Sequence, residues 1–246
     1  MIAAITAGGR VSGDLAAAIG TTVKALAPFG EGTLLDVAID AARASGAGRV
    51  AVIGGDEVRA ACAGRVDEVI AESQDGRENI RKAIETGADE PLLLMTSDMP
   101  FVSAVGVGDF LARIGNAGIA LPLATADDYE CAYPGAPPHV TRVGRERIAN
   151  GSIVFFAGGV APRALDAAQR LFEARKSLVR MAALLGPRLL LRFALGQLRI
   201  DEIEARARGL LDVDARAVRN AAPSLCFDVD TAEDYRYALA HRTHAS

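Results

Sequence analysis

Ile2-Ala3-Ala4-Ile5-Thr6-Ala7-Gly8-Gly9-Arg10 runs a short apolar segment of β type into two glycines and a cation. Adjacent glycines free the backbone to turn tightly and to approach a ligand closely, which is how a phosphate-binding loop begins. Successive N–H groups in such a turn point at anionic oxygens, and Arg10 and Lys24 add positive charge close by in the chain. Ala7, Gly8, Gly9, Arg10 and Lys24 are therefore candidate phosphate-binding residues. Neither GxxxxGK(S/T) nor GxGxxG occurs here, so the loop is of neither the P-loop nor the dinucleotide type.

A second stretch, Pro91-Leu92-Leu93-Leu94-Met95-Thr96-Ser97-Asp98-Met99-Pro100, complements the first. Its fully apolar run from Leu92 to Met95 reads as a central parallel strand buried on both faces, and Asp98 follows at the carboxyl end. Ligands of open α/β sheets bind at that edge. A carboxylate there is placed to hold a hard cation such as Mg²⁺ beside a triphosphate.

Between these stretches, strand and helix alternate. Apolar residues from Thr33 to Ala44 fall on one helical face, Arg49 to Ile53 forms a β run, and Asp56 is placed to N-cap a helix through Ala63. Glu68 to Ala71 and a helix from about Arg77 to Thr86 follow, and beyond Asp98 come a helix capped by Ser103 and a strand from Gly118 to Leu123. This alternation predicts a Rossmann-like, doubly wound, mostly parallel sheet with right-handed crossovers. Gly54-Gly55 reads as a strand-to-helix turn in preference to a second phosphate loop.

The C-terminal half breaks the pattern. Residues 126–151, with Pro134, Pro137, Pro138 and His139, read as a long irregular loop, a feature usually functional in a compact domain. Ser152 to Phe156 is a strand, and about 161–210 is a helical insertion rich in leucine and arginine, broken at Gly186-Pro187 and near Gly196. Its Arg175, Lys176, Arg180, Arg188, Arg192 and Arg199 form either a solvated face or a surface for anionic groups; packing of the leucines on the sheet and on a second copy is favoured over membrane contact. Leu225 to Val229 has strand chemistry, and alternation would put Asp228 and Asp230 on one face, able to complete a divalent-metal site with Asp98. Asp230 also qualifies as the cap of a final helix that begins Thr231-Ala232-Glu233-Asp234.

Taken in order, ITAGGR, then Lys24 in VKALAPFG, a helix from TLLD, LLLMTSDMPF and CFDVDTAEDY resemble the motifs of the MobA-like NTP transferases. These are nucleotidyltransferases of the glycosyltransferase-A type, related to molybdenum cofactor guanylyltransferase. The resemblance departs from the family pattern where Arg10 directly follows the glycines, where the run from Gly13 to Thr22 has no arginine, and where Ser97 replaces a glycine before Asp98. It implies transfer of an NMP from an NTP to a phosphorylated or similar small acceptor, with release of pyrophosphate. Nucleotide contacts would come from Ala7, Gly8, Gly9, Arg10, Lys24 and Asn79, with Lys24 and Asp98 catalytic and Mg²⁺ held by Asp98 with Asp228 or Asp230. By position the 126–151 segment would hold the acceptor, and there Arg142, Arg145 and Arg147 could grip a phosphate or carboxylate bidentately. His139 has no counterpart in the resembling family. Two other functions stay open: a nucleotide-binding regulatory or assembly protein without turnover, and a nucleotide-sugar glycosyltransferase, although the DxD of the latter is absent from Thr96-Ser97-Asp98.

The 246 residues suffice for one large α/β domain spanning 1–246, half apolar and 24% charged. A net charge of -4, with no basic run, argues against nucleic acid as a partner. Three widely spaced cysteines fit reduced thiols in a cytoplasm better than a disulfide framework or a zinc site. The expectation is a cytoplasmic protein whose partners are an NTP, a small acceptor and a second copy of itself.

Overall fold

The computed structural model describes residues 1–87, 89–174 and 186–242. β1 (Ile2–Thr6) lies at the centre, hydrogen-bonded in parallel to β4 (Arg49–Gly54) on one side and β6 (Leu92–Thr96) on the other, with β5 (Glu68–Ala71) parallel beyond β4. Burial on both faces explains why β1 and β6 read as unbroken apolar runs. Ala3 and Ile5 point into one core cluster and Ile2 and Ala4 into another, each cluster filling one side of the sheet. Helices α2 (Leu34–Ala44) and α5 (Ala104–Arg113) cover the first side; α4 (Gly76–Thr86) and α7 (Ala161–Ala174) cover the second. The result is a Rossmann-like α/β fold with a mixed, mostly parallel sheet.

Beyond β6 the direction reverses. β10 (Ile153–Phe156) runs antiparallel between β6 and β7 (Ile119–Thr125), while β7 is itself parallel to β11 (Ala215–Arg219). Helix α2 starts where expected, because Thr33 and Asp36 form a reciprocal capping box. Asp56 is not a cap: Gly55 takes that position, and the helix α3 covers Asp56–Ala61 only. A side chain at Gly54 would meet Val58 at 2.4 Å, so the glycine pair is a packing turn, as expected.

Two larger expectations also fail, each for an identifiable reason. Residues 126–151 are not a long loop. Thr125 caps a helix α6 (Ala126–Ala132) by accepting from the Asp128 N–H, and Tyr129 and Tyr133, four apart, bury one face of that turn. After Gly135 the chain forms a hairpin, β8 (Thr141–Val143) and β9 (Glu146–Asn150), turning at Gly144 with φ 60° and pairing with β7. Its largely exposed, charged strands lack the apolar alternation that betrays a half-buried hairpin. Leu225–Val229 is likewise not a strand. Both edges of β6 are already occupied by β1 and β10, so this segment crosses the carboxyl ends of the strands instead. It is tied down by Ser152 N–H donating to Leu225 C=O (3.0 Å) and Val229 N–H donating to Asp98 C=O (2.9 Å). Its strand-like composition reflects burial of Leu225, Cys226, Phe227 and Val229 in the core.

The described parts of the leucine-rich stretch are helical, as α7, α8 (Pro187–Ala194) and α9 (Ile200–Leu211), the last two parted near Gly196 as expected. Arg175, Lys176 and Arg180 lie outside the described residues. Among the described residues, no helix is long and apolar enough to cross a membrane. The last helix, α10 (Ala232–Ala240), begins at a second capping box, Thr231 with Asp234, so Thr231 and not Asp230 is its cap.

Candidate metal and phosphate site

The glycine loop and Lys24 are held as one unit. Lys24 N–H donates to Gly9 C=O (2.9 Å) and Val11 N–H to Thr22 C=O (2.9 Å), so the chain returns alongside the loop and presents Lys24 at the carboxyl edge of the sheet. Among the described residues the Gly8 and Gly9 N–H groups donate to no protein acceptor, which leaves them available to an anion. Lys24 Nζ lies 2.6 Å from Asp98 Oδ2 and 2.8 Å from Asp230 Oδ1. Burial lowers the affinity of this ammonium for its proton, but Asp98, and then Asp230, more than offset it and raise the Lys24 pKa. The side chain is thus a cation in place.

Asp98, Asp228 and Asp230 each offer an oxygen within 4.8 Å of the others, although the segment carrying the last two is irregular. Asp98 Oδ1 is buried and has no hydrogen-bond partner among the described residues. An orphaned carboxylate oxygen beside two further hard oxygen donors suits a cation of the Mg²⁺ or Mn²⁺ kind. Charge supports the same reading: among the described residues, Asp98, Asp228, Asp230 and Asp234 form ion pairs only with Lys24 and His139. A divalent ion would balance that excess.

His139, Ser152 and Asp234 belong to this site and were not legible as such. His139 Nδ1 is 3.1 Å from Asp228 Oδ1 and Nε2 is 2.9 Å from Asp234 Oδ1. Those two carboxylates push its pKa up to about 9, and with both nitrogens engaged the ring is no base. Ser152 Oγ donates to Asp228 Oδ2 at 3.1 Å. Burial would raise the Asp228 pKa, but the His139 hydrogen bond and charge outweigh it, and the carboxyl is held below its ordinary value.

The remaining candidates divide. Asn79 is buried beneath the glycine loop, accepting from Ser73 N–H (2.6 Å) and donating to Ser73 C=O (3.0 Å). Arg10 reaches Glu72 (2.5 Å) and Glu57 (3.3 Å), across Gly55. Glu72, unremarked in the sequence, lies against Gly8: a Cβ there would meet Glu72 Oε2 at 2.2 Å and Asn79 Nδ2 at 3.1 Å. Gly8→Ala is therefore expected to cost about 1–3 kcal/mol, a fall in Tm of about 2–4 °C per kcal/mol. Gly9→Ala should be near neutral, its closest neighbour being Lys24 Cβ at 3.7 Å; equal melting of the two variants would refute this account of the loop. Arg142 donates to Gly144 C=O (3.0 Å), Arg147 pairs with Glu130 (2.5 Å), and Arg145 lines a cavity of about 540 Å³ with Arg192 and Arg199. Among the described contacts, none of Arg142, Arg145 and Arg147 touches the carboxylate cluster.

A family model described as the MobA-like NTP transferase domain matches residues 3–199. The fold is similar to that of a hypothetical transferase from Thermus thermophilus (26% identical, TM-score 0.80, covering 95% of this chain and 98% of that one). It is also similar to Rv0371c from Mycobacterium tuberculosis in complex with manganese (20% identical, TM-score 0.54, 98% of each chain). A third similar structure is 2-C-methyl-D-erythritol 4-phosphate cytidylyltransferase from Thermus thermophilus (17% identical, TM-score 0.56, 98% of each chain). No curated protein matches the sequence.

Proposed function

We propose, from the premise that this chain belongs to the MobA-like NTP transferase family, that it is a divalent-metal-dependent nucleotidyltransferase acting on a small phosphorylated or otherwise anionic acceptor. The observation that carries the reading is the Lys24, Asp98, Asp228 and Asp230 cluster beside a glycine loop with free N–H groups. An acceptor oxygen attacks the α-phosphorus of the NTP, the bond to the β-phosphate oxygen breaks, and pyrophosphate leaves. Such transfers need positioning and charge neutralisation more than covalent chemistry. Gly8 and Gly9 N–H groups orient the phosphates, and Lys24 turns from its carboxylates to the developing charge. Asp98, Asp228 and Asp230 would hold Mg²⁺, or Mn²⁺ as in the similar mycobacterial structure, which when bound stabilises the charge on departing pyrophosphate.

No enzyme nucleophile is needed, and the buried cysteine in this region makes a poor one: burial pushes the Cys226 thiol up to about 12. The whole described chain acts as one nucleotidyltransferase domain in this reading, working in the cytoplasm. Exposed Leu191, Phe193 and Leu195 are covered by a second copy, so sedimentation should show a dimer at micromolar concentration, and a monomer would exclude it. The test of function is pyrophosphate release from each of the four NTPs with Mg²⁺ and a panel of phosphorylated small molecules. Release with one NTP and one acceptor class is expected. Nucleotide binding without release under every combination would overturn the proposal in favour of a silent nucleotide-binding protein.

A further inference from the structure

We infer that His139 is a positioning residue: it fixes the carboxylate of Asp228 so that an oxygen stays within reach of those of Asp98 and Asp230. The inference rests on the reading of that trio as cation ligands. Asp228 stands on a segment that is neither helix nor strand, so no ladder of neighbouring bonds limits how its side chain turns. Nearby backbone bonds, Val229 N–H on Asp98 C=O, Ser152 N–H on Leu225 C=O and Asp230 N–H on Asp234 Oδ2, fix the path of the chain but not the Asp228 side chain. Orientation must come from donors to the carboxylate itself, and two are present: His139 Nδ1 on Oδ1 and Ser152 Oγ on Oδ2, both at 3.1 Å.

His139 is fixed in turn from its far side. Asp234 Oδ2 accepts from the N–H groups of Asp230 (3.0 Å) and Thr231 (2.7 Å), which locks that carboxylate to the start of α10 and aims Oδ1 at His139 Nε2. Ring contacts with Phe227 (centroids 5.1 Å apart) and Tyr129 (6.1 Å) hold the imidazole against tilting. Reference therefore passes from the helix start through Asp234 and His139 to Asp228. Hydrogen-bonded partners of this kind behind a metal-ligating group are worth about 10–100-fold in metal affinity.

Two substitutions separate this role from that of a buried histidine that merely satisfies two acids. The side-chain nitrogen of asparagine falls near the place of Nδ1, so His139→Asn keeps the Asp228 bond and gives up Asp234. The longer glutamine puts its nitrogen near Nε2, so His139→Gln keeps Asp234 and gives up Asp228. Mn²⁺ binding, measured by loss of the free-ion paramagnetic resonance signal without nucleotide, should be about tenfold weaker in His139→Gln and within about threefold of the parent in His139→Asn. In turnover, the deficit of His139→Gln should lie in the metal activation constant and vanish from kcat at saturating metal. Equal weakening in both variants, greater weakening in His139→Asn, or no change in either would overturn the inference. If His139→Gln fails to fold, His139→Asn decides alone, a tenfold loss there counting against. Parent Mn²⁺ binding that Asp98→Asn leaves intact would instead remove the metal reading itself, and this inference with it.

Discussion

Asp98→Asn is expected to leave a folded protein whose nucleotidyl transfer is about a thousandfold slower, a loss of ~4 kcal/mol at the transition state. The amide is nearly isosteric with the carboxylate, so packing at the end of β6 is preserved, but it carries no charge and is a far weaker ligand for a hard cation. Asp98 supplies the buried, unpartnered oxygen of the cluster. Stability should change little. Removing one of four crowded carboxylates relieves repulsion, and this offsets the loss of the Asp98 ion pair while Lys24 keeps Asp230, so the melting temperature should stay near the parent's. Thermal melting and steady-state pyrophosphate release on the same preparation check both halves. Near-parental turnover would show that the transfer does not run through this residue.

Lys24→Ala should act in opposite directions on the two ligands. Triphosphate loses a nearly buried cationic partner, and kcat/KM is expected to fall about a hundredfold, ~2.7 kcal/mol. Mn²⁺ alone should bind more tightly than to the parent, because Asp98 Oδ2 and Asp230 Oδ1 no longer carry an ammonium at 2.6 and 2.8 Å. Titration calorimetry with NTP and Mn²⁺ titration without it give the two signs independently. If both affinities fall together, Lys24 is a structural counter-ion and not a phosphate ligand that waits on the carboxylates.

What the sequence disclosed and what it hid follow from the range of the interactions. β1, β6 and the edge at which Asp98 stands were legible because unbroken apolar runs flanked by glycine or an acid have few other readings. The capping box at Thr231 was equally plain, being set by residues three apart. His139 was hidden because its partners lie at 228 and 234, and nothing in Pro137-Pro138-His139 signals either. Helix α6 was obscured by Asp127, Asp128 and the prolines after it, although Thr125, Tyr129 and Tyr133 carry the cap and the buried face. Leu225 to Val229 misled in the opposite way: its composition reports burial truthfully, and burial without a free strand edge does not make a strand.

In the proposed reading, the contact between Lys24 and Asp230 also sets when the protein becomes competent. Lys24 and Asp230 are 206 positions apart, and the contact closes a loop containing almost the whole chain. Loops of that length close late, after β1, β4 and β6 have assembled through nearer neighbours. A ribosome-bound chain that has not yet released residues 223–240 can hold the glycine loop and Asp98 in their places, yet it lacks the second half of the carboxylate cluster and the helix that aims it. On the proposed function, activity would report on completed folding. Unfinished chains would bind triphosphate weakly and transfer nothing, so a cell expressing them loses neither nucleotide nor acceptor to half-made copies.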